Sequence, residues 1–461
     1  MAEPPRTMAR TTHQRPDGSL EREATDLLRT MIRNACVNDG TPASGQEVRN
    51  ADALEAYFAG SGLTFERYTA APGRVSLITR IEGSDRAAPT LLLMGHTDVV
   101  PANAGGWQRD PFGGDVVDGI VWGRGATDML HITATMAVAT RRLATSGFRP
   151  RGTLIYLGVA DEEAGGTYGA KFLVDEHGDA VKTDYVITES GGVPIPAPDG
   201  VKLPVTVAEK GINRRRLIVK GTPGHGSMPF RTDNALVTAS DVVRRIAAYQ
   251  PKARILDEWR RYVSELGLAP ELTAALTDPD RVWETLRTLE PLGFARFAHA
   301  CTHTTFSPNL VSYGGSKSNV IPDRIAIDVD IRALPDVSAL DVDAMLREAL
   351  GDVASRVEIE APRGQPGTRT PLETPLAESM SRVTRALVPG STIIPRMTSG
   401  GTDARYFRFK GVPSYGFALH SQRIPYTQYP LMFHGNDERI DTESLGLSAA
   451  MWEALVRDFL G

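Results

Sequence analysis

Short apolar runs alternate with amphipathic stretches up to about residue 210. "APTLLLMGHTDVV", "GTLIYLGVA" and "DYVITES" are continuous apolar runs of strand length. "MLHITATMAVATRRLAT" and "GAKFLVDEHG" carry apolar positions at helical spacing. Strand and helix in alternation predict a mostly parallel sheet covered by helices on both faces, an α/β fold. In such sheets ligands collect beyond the carboxyl ends of the strands, and the polar clusters of this chain fall at or near such ends.

The texture changes near Ile212. "NRRRLIVKGTPGHGS" is a basic strand with alternating polarity, followed by a helix in "DNALVTASDVVRRIAAY". A charged, helix-rich tract from Pro251 to about Thr305 leads into two alternating strands within "NLVSYGGSKSNVIPDRIAIDVDIRALP". This reads as a smaller α+β domain over 213–333, inserted into a larger domain made of 1–212 and 334–461. Linkers at about Gly211 and Ala333 would permit a hinge. The polar, proline-bearing start, about residues 1–20, reads as a flexible leader.

Composition narrows the partners. At 461 residues the chain is long for one core, which supports two domains. A formal charge of −5 provides no basic field for nucleic acid or an anionic membrane. Two distant cysteines, Cys36 and Cys301, form no metal or redox spacing; they suit a reducing, cytoplasmic compartment, and so few are also compatible with secretion.

The chemistry lies in polar clusters that end apolar runs. In "MGHTDVVPA", His96 and Asp98 stand two apart, so on a strand they share a side. Asp98 is thereby placed to hold the imidazole's tautomer. In "WGRGATDMLH", Asp128 stands just before a helix, where an aspartate commonly acts as N-cap. In "GVADEEAGG", Glu162 and Glu163 are adjacent and must point apart. Glu189 ends the strand in "YVITESGG", and His434 sits in the glycine-bearing turn "MFHGNDERI". Taken singly, each has an ordinary reading as a loop or surface residue. Together, His96, Asp128, Glu163, Glu189 and His434 make the donor set of a two-metal site, in which one carboxylate bridges two cations.

Seven ordered motifs, "GHTDVVP", "GRGATDM", "DEEAGG", "HGSMPF", "SNVIP", "SGGTDARYF" and "FHGNDERI", resemble the co-catalytic zinc hydrolases. These include aminoacylase, acetylornithine deacetylase, succinyl-diaminopimelate desuccinylase, glutamate carboxypeptidase and carboxypeptidase S. The likeness runs from about residue 25 onward. It implies two divalent metal ions, most often Zn2+ with Co2+ or Mn2+ as substitutes, in the larger domain, which would be catalytic. Asp128 would bridge them, His96 and Glu189 would complete one, and Glu163 and His434 the other. Asp98 would orient His96, and Glu162 would be the general base for the water shared by the metals. The smaller domain would be a lid that makes a homodimer, carrying His225 to the active site of the other subunit as an oxyanion donor. Asn319 and Arg332 would hold the substrate's carboxylate and carbonyl. Gly400 and Gly401 would let backbone amides approach the ligand, and Arg405 is a further candidate for carboxylate contact.

The chain departs from the family's usual D-M-K-G after the bridging aspartate, reading Met129, Leu130 and His131. His131 is expected on the helix surface. The tract from Pro251 to Thr305 resembles the carboxypeptidase S and N-acyl-amino-acid hydrolase branch. The expected activity is hydrolysis of an amide in an N-acyl amino acid or short peptide bearing a free carboxylate. A dipeptidase or aminopeptidase of the same superfamily is the alternative. A catalytically silent ligand-binding homologue would lack a ligand or the base, and none is missing.

Overall fold

The computed structural model describes residues 18–315, 317–362 and 364–461. Most of the expected leader lies outside them, but its last residues do not belong to it. Gly18–Arg33 is a helix, and Leu20 is already buried.

The chain divides into two compact units. The first takes the described residues up to Val205 together with Leu372–Ile393 and Val412–Gly461. Its sheet runs in the order Phe65–Ala71, Arg74–Ile81, Thr153–Val159, Thr90–His96, Tyr185–Thr188, Ser414–Gly416. The last four strands are parallel, and the first two form an antiparallel edge. Every residue from Leu91 to His96 and from Leu154 to Val159 is buried. Successive side chains on a strand point to opposite faces, so both faces of this sheet are covered, as continuous apolar runs require. His96 lies opposite Val159, which brings the carboxyl ends of these neighbouring strands level.

A second, three-stranded sheet in this unit pairs Ile120–Trp122 with both Asp115–Val117 and Arg439–Asp441. Arg439 faces Trp122. That pairing joins the turn leading to Asp128 to the turn holding His434, although 306 residues separate them in the chain.

The second unit comprises Thr206–Pro371 and Ile394–Gly411. It is larger than the expected 213–333, because 206–212, 334–371 and 394–411 also belong to it. Gly400, Gly401 and Arg405 therefore sit here and not in the larger domain. Its antiparallel sheet places Arg324–Ala333 between Arg215–Lys220 and the edge strand Thr305–Ser312. The expected linkers are not linkers, since Gly211 pairs with Ala333 inside this sheet. The helix-rich tract is present as Asp257–Glu265, Pro270–Leu276, Val282–Leu286 and Leu292–Thr302, closed around Trp259 by Tyr262, Phe294 and Phe297.

His131 is not on the surface of its helix, Leu130–Thr145. It is buried, and its Nε2 lies 3.1 Å from Nε2 of the equally buried His420. One ring must donate and the other accept, so at least the acceptor is neutral. Burial pushes His131 well below the usual histidine value, with His420 adding to the effect, and burial lowers His420 to about 3. A histidine lowered on folding stays neutral in the folded chain while the unfolded chain takes up protons below about pH 6.5. Stability is therefore lost as pH falls through 6.5 toward 3. We expect the stability advantage of the wild type over H420Q in chemical denaturation to shrink by about 1.4 kcal/mol between pH 7.5 and 5.5.

Candidate metal centre

Each functional side chain is delivered by an abrupt end to regular structure. His96 is the last residue of its strand, and Glu189 directly follows Thr188 at the end of another. Beyond Val159 the chain turns sharply, with Asp161 in the left-handed region at φ 69°, into the single helical turn Glu162–Ala164. Asp128 precedes the helix Leu130–Thr145 without capping it, for the N-cap position falls at Met129 and has no side-chain bond. Its side chain is left free to face the centre.

Asp128 divides its two oxygens. Oδ1 is 3.2 Å from His96 Nε2, and Oδ2 is 3.4 Å from His434 Nε2. His434 Nε2 is also 3.2 Å from Glu163 Oε2, and His96 Nε2 is 4.0 Å from Glu189 Oε2. His96, Asp128 and Glu163 can offer ligand atoms within 4.8 Å of one another, and so can His96, Glu162 and Glu189. The structure thus brings together all five expected ligands, with Glu162 among them.

Electrostatics show what the cluster needs. Burial would lower His96, but Asp128, Glu189, Asp98 and Glu163 outweigh it and hold it well above the usual histidine value. Hydrogen bonding to Asp128 and Glu163 pushes His434 up to about 10. Burial followed by the charge of Glu162 raises Glu189, and burial followed by Asp128 raises Glu163. Four carboxylates among two imidazoles call for positive charge. Glu163 Oε1 is buried without a hydrogen-bond partner, a further acceptor suited to a cation.

The imidazole of His96 is oriented through Asp98, but not by the carboxylate. Nδ1 lies 2.9 Å from the Asp98 carbonyl oxygen and 3.6 Å from its Oδ1. A carbonyl can only accept, so Nδ1 carries the proton and Nε2 presents its lone pair to the centre. The Asp98 carboxylate accepts instead from the backbone N–H groups of Glu162 and Glu163, at 3.3 and 3.1 Å.

Glu438 went unrecognised in the sequence. It is fully buried, and its carboxylate accepts from the backbone N–H groups of Thr127 (2.6 Å), Asp128 (2.7 Å) and Gly125 (2.9 Å) and from Arg124 Nη1 (2.9 Å). Burial raises it to about 7, against the opposing charge of Arg124. Arg124 also reaches the carbonyl of His434, 3.4 Å away. One carboxylate thereby fixes the turn carrying Asp128 to the segment carrying His434. The only hint was its place four residues after His434 in the same motif.

In the second unit, Gly226 N–H donates to the Asn319 carbonyl at 2.7 Å, and His225 pairs with Val320, so His225 and Asn319 are neighbours. His225 Nδ1 accepts from Ser227 N–H at 3.1 Å, which leaves the proton of a neutral ring on Nε2. Arg332 Nε lies 3.1 and 3.2 Å from the two oxygens of Asp330. Arg405 is buried, with Nε on the Thr402 carbonyl and Nη1 on Gln365 Oε1, each at 2.5 Å. A Cβ on Gly401 would come within 2.6 Å of that guanidinium. Glu209, also missed from sequence, accepts from Thr402 N–H at 2.6 Å and fixes the loop of Gly400 and Gly401.

Replacing Glu438 with Ala should weaken metal binding about ten- to a hundredfold, as loss of a ligand-orienting partner does. Chelator competition against the wild type measures it.

Comparison with known proteins bears on the same residues. Residues 92–458 match the model of Peptidase family M20/M25/M40. Human aminoacylase-1 is 28% identical over 385 residues, covering 82% of each chain. A Danio rerio N-fatty-acyl-amino acid synthase/hydrolase is 27% identical over 401 residues, covering 81% of this chain and 73% of its own. The crystal structure of a metallo-carboxypeptidase from Sulfolobus solfataricus superposes with a TM-score of 0.71 at 17% identity, over 95% of this chain and 99% of that one. The ordered motifs, the α/β fold and the match over most of the chain agree: this protein belongs to peptidase family M20/M25/M40, and is a hydrolase of that family.

Proposed function

We propose that the chain hydrolyses the amide bond of an N-acyl amino acid, or of a short peptide with a free carboxylate, with two divalent cations held by His96, Asp128, Glu163, Glu189 and His434. The observation that carries the reading is the division of Asp128 between His96 and His434. Mixed imidazole and carboxylate donors suit zinc, with cobalt or manganese as substitutes. Bound there, the cations would supply Lewis acidity to a carbonyl oxygen and to water.

The chain's own residues supply the rest. Glu162 stands beside Glu189 and His96 but is the acid not needed for either pair of ligands. It takes the proton of the attacking water and delivers it to the leaving nitrogen. The Nε2–H of His225, held outward by the Ser227 contact, donates to the developing oxyanion. Asn319 and Arg332 hold the substrate's carbonyl and carboxylate, with Gly400 and Gly401 giving close backbone approach and Arg405 supporting Gly401 from beneath. The likeness to aminoacylase-1 supports the N-acyl amino acid over a peptide with a blocked terminus. The buried free thiols Cys36 and Cys301 suit a cytoplasmic setting.

A homodimer is part of the proposal. The edge strand Thr305–Ser312 exposes Leu310 and Val311, and the helix Ala235–Ala248 exposes Leu236 and Val237. A covered edge is the usual fate of such a surface.

Two outcomes are expected. E162Q should abolish turnover on an N-acyl amino acid while retaining its metal content by elemental analysis; retained turnover removes Glu162 as base. Mixing inactive H225A and E162Q dimers, after subunit exchange, should restore about a quarter of wild-type sites, because each mixed dimer has one intact site. No recovery on mixing removes the contribution of His225 to the partner's site.

A further inference from the structure

Beneath the turn that carries Glu162 and Glu163 lies a buried polar network that the proposed chemistry does not use. Asn38 is 3% exposed and Arg74 is 1% exposed. Asn38 Nδ2 donates to Asp98 Oδ2 at 2.8 Å and to Asp161 Oδ1 at 3.1 Å. Asn38 Oδ1 in turn accepts from Arg74 Nη2 at 3.1 Å and from Gly40 N–H at 3.0 Å. Arg74 Nη1 is 2.6 Å from Glu47 Oε1 and 3.4 Å from Asp161 Oδ1. Glu47 Oε1 accepts from the backbone N–H of Asp161 at 3.2 Å.

Neither Asn38 nor Arg74 contacts His96, Asp128, Glu189 or His434. What they contact are the two aspartates that set the turn. Asp98 holds the amides of Glu162 and Glu163, and Asp161 occupies a left-handed conformation with its Oδ2 on Tyr168 N–H at 2.8 Å. Such a conformation persists in a non-glycine residue only when its surroundings over-determine it. Two buried acids, Glu47 and Asp161, share one guanidinium, and the Asn38 amide separates the third, Asp98, from Asp161 by donating to both. Remove that donor and two carboxylates face each other in a medium of low dielectric.

We infer that Asn38 and Arg74 are positioning residues: through Asp98 and Asp161 they set where the Glu162 and Glu163 carboxylates stand relative to the metals. The inference rests on the proposed function, and it adds residues remote in sequence from every motif that carries it. A misplacement of about 1 Å in a reacting group can cost about a hundredfold in rate. The network should therefore be read in kcat and in ligand geometry, with substrate affinity nearly unchanged.

The test uses N38D, which keeps the shape of Asn38 but removes its donor, and R74K, which keeps the charge but cannot hold Glu47 and Asn38 together. In the zinc-loaded full-length protein, N38D should lower kcat about a hundredfold and leave KM within about threefold. The cobalt-substituted protein should show shifted visible absorption bands at unchanged metal stoichiometry. R74K should behave likewise to a smaller degree, and it serves alone if N38D does not fold. A kcat within about threefold of wild type in either folded variant, or cobalt bands identical to wild type, overturns the inference. E162Q run in parallel separates the two readings. If E162Q is inactive and N38D is fully active, only the positioning role fails. If E162Q turns over, the base assignment fails, and the cobalt spectrum still reads whether Asn38 sets the placement of Glu163.

Discussion

Negative charge gathered at one end of a buried parallel sheet is the constraint that organises this molecule. Asp128, Glu162, Glu163 and Glu189 meet around His96 and His434, and two neutral rings cannot balance them. The imidazoles are accordingly driven toward protonation, and the carboxyls of Glu163 and Glu189 toward the neutral form. A divalent cation resolves both tendencies at once, because it favours ionised carboxylates and neutral imidazoles together. In the proposed function, cations are the partners that make these acids tolerable at the end of the sheet.

A single device recurs in holding the functional loops. A buried carboxylate accepts two or more hydrogen bonds, at least one of them from a backbone amide of the loop it holds, and such a bond to an ionised acceptor is stronger than a neutral one. Asp98 does this for the turn of Glu162 and Glu163, Glu438 for the turn of Asp128, and Glu209 for the loop of Gly400 and Gly401. All three anchors are themselves attached to a buried arginine, Glu438 to Arg124 and Glu209 to Arg408 directly and Asp98 to Arg74 through Asn38. Paired with one another, buried charges of this kind specify geometry more than they add stability. The sheet provides a rigid platform, while the anchors decide the last ångström.

Much of this was legible from the chain. The strands ending in His96, at Val159 and before Glu189 are apolar runs closed by polar residues, and they are where the pattern places them. The metal-ligand candidates were readable because imidazoles and acids ended successive elements. Other features could not be read. The second unit claims 334–371 and 394–411, and no local change of texture marks those segments. His131 looked like a surface residue because its helix is amphipathic only in part, whereas its partner His420 lies 289 residues away.

The sequence by itself determined which elements form, and it named the atoms able to bind a cation, because periodicity, turn chemistry and donor type are local properties. Only the tertiary structure decided that Asp128 faces both histidines, that Asp98 works through its carbonyl toward His96 and through its carboxylate toward Glu162 and Glu163, and that Asn38, Arg74 and Glu438 stand behind them. These are contacts between residues far apart in the chain. They depend on strand register and buried hydrogen bonding, which leave no periodic mark on the segments that make them.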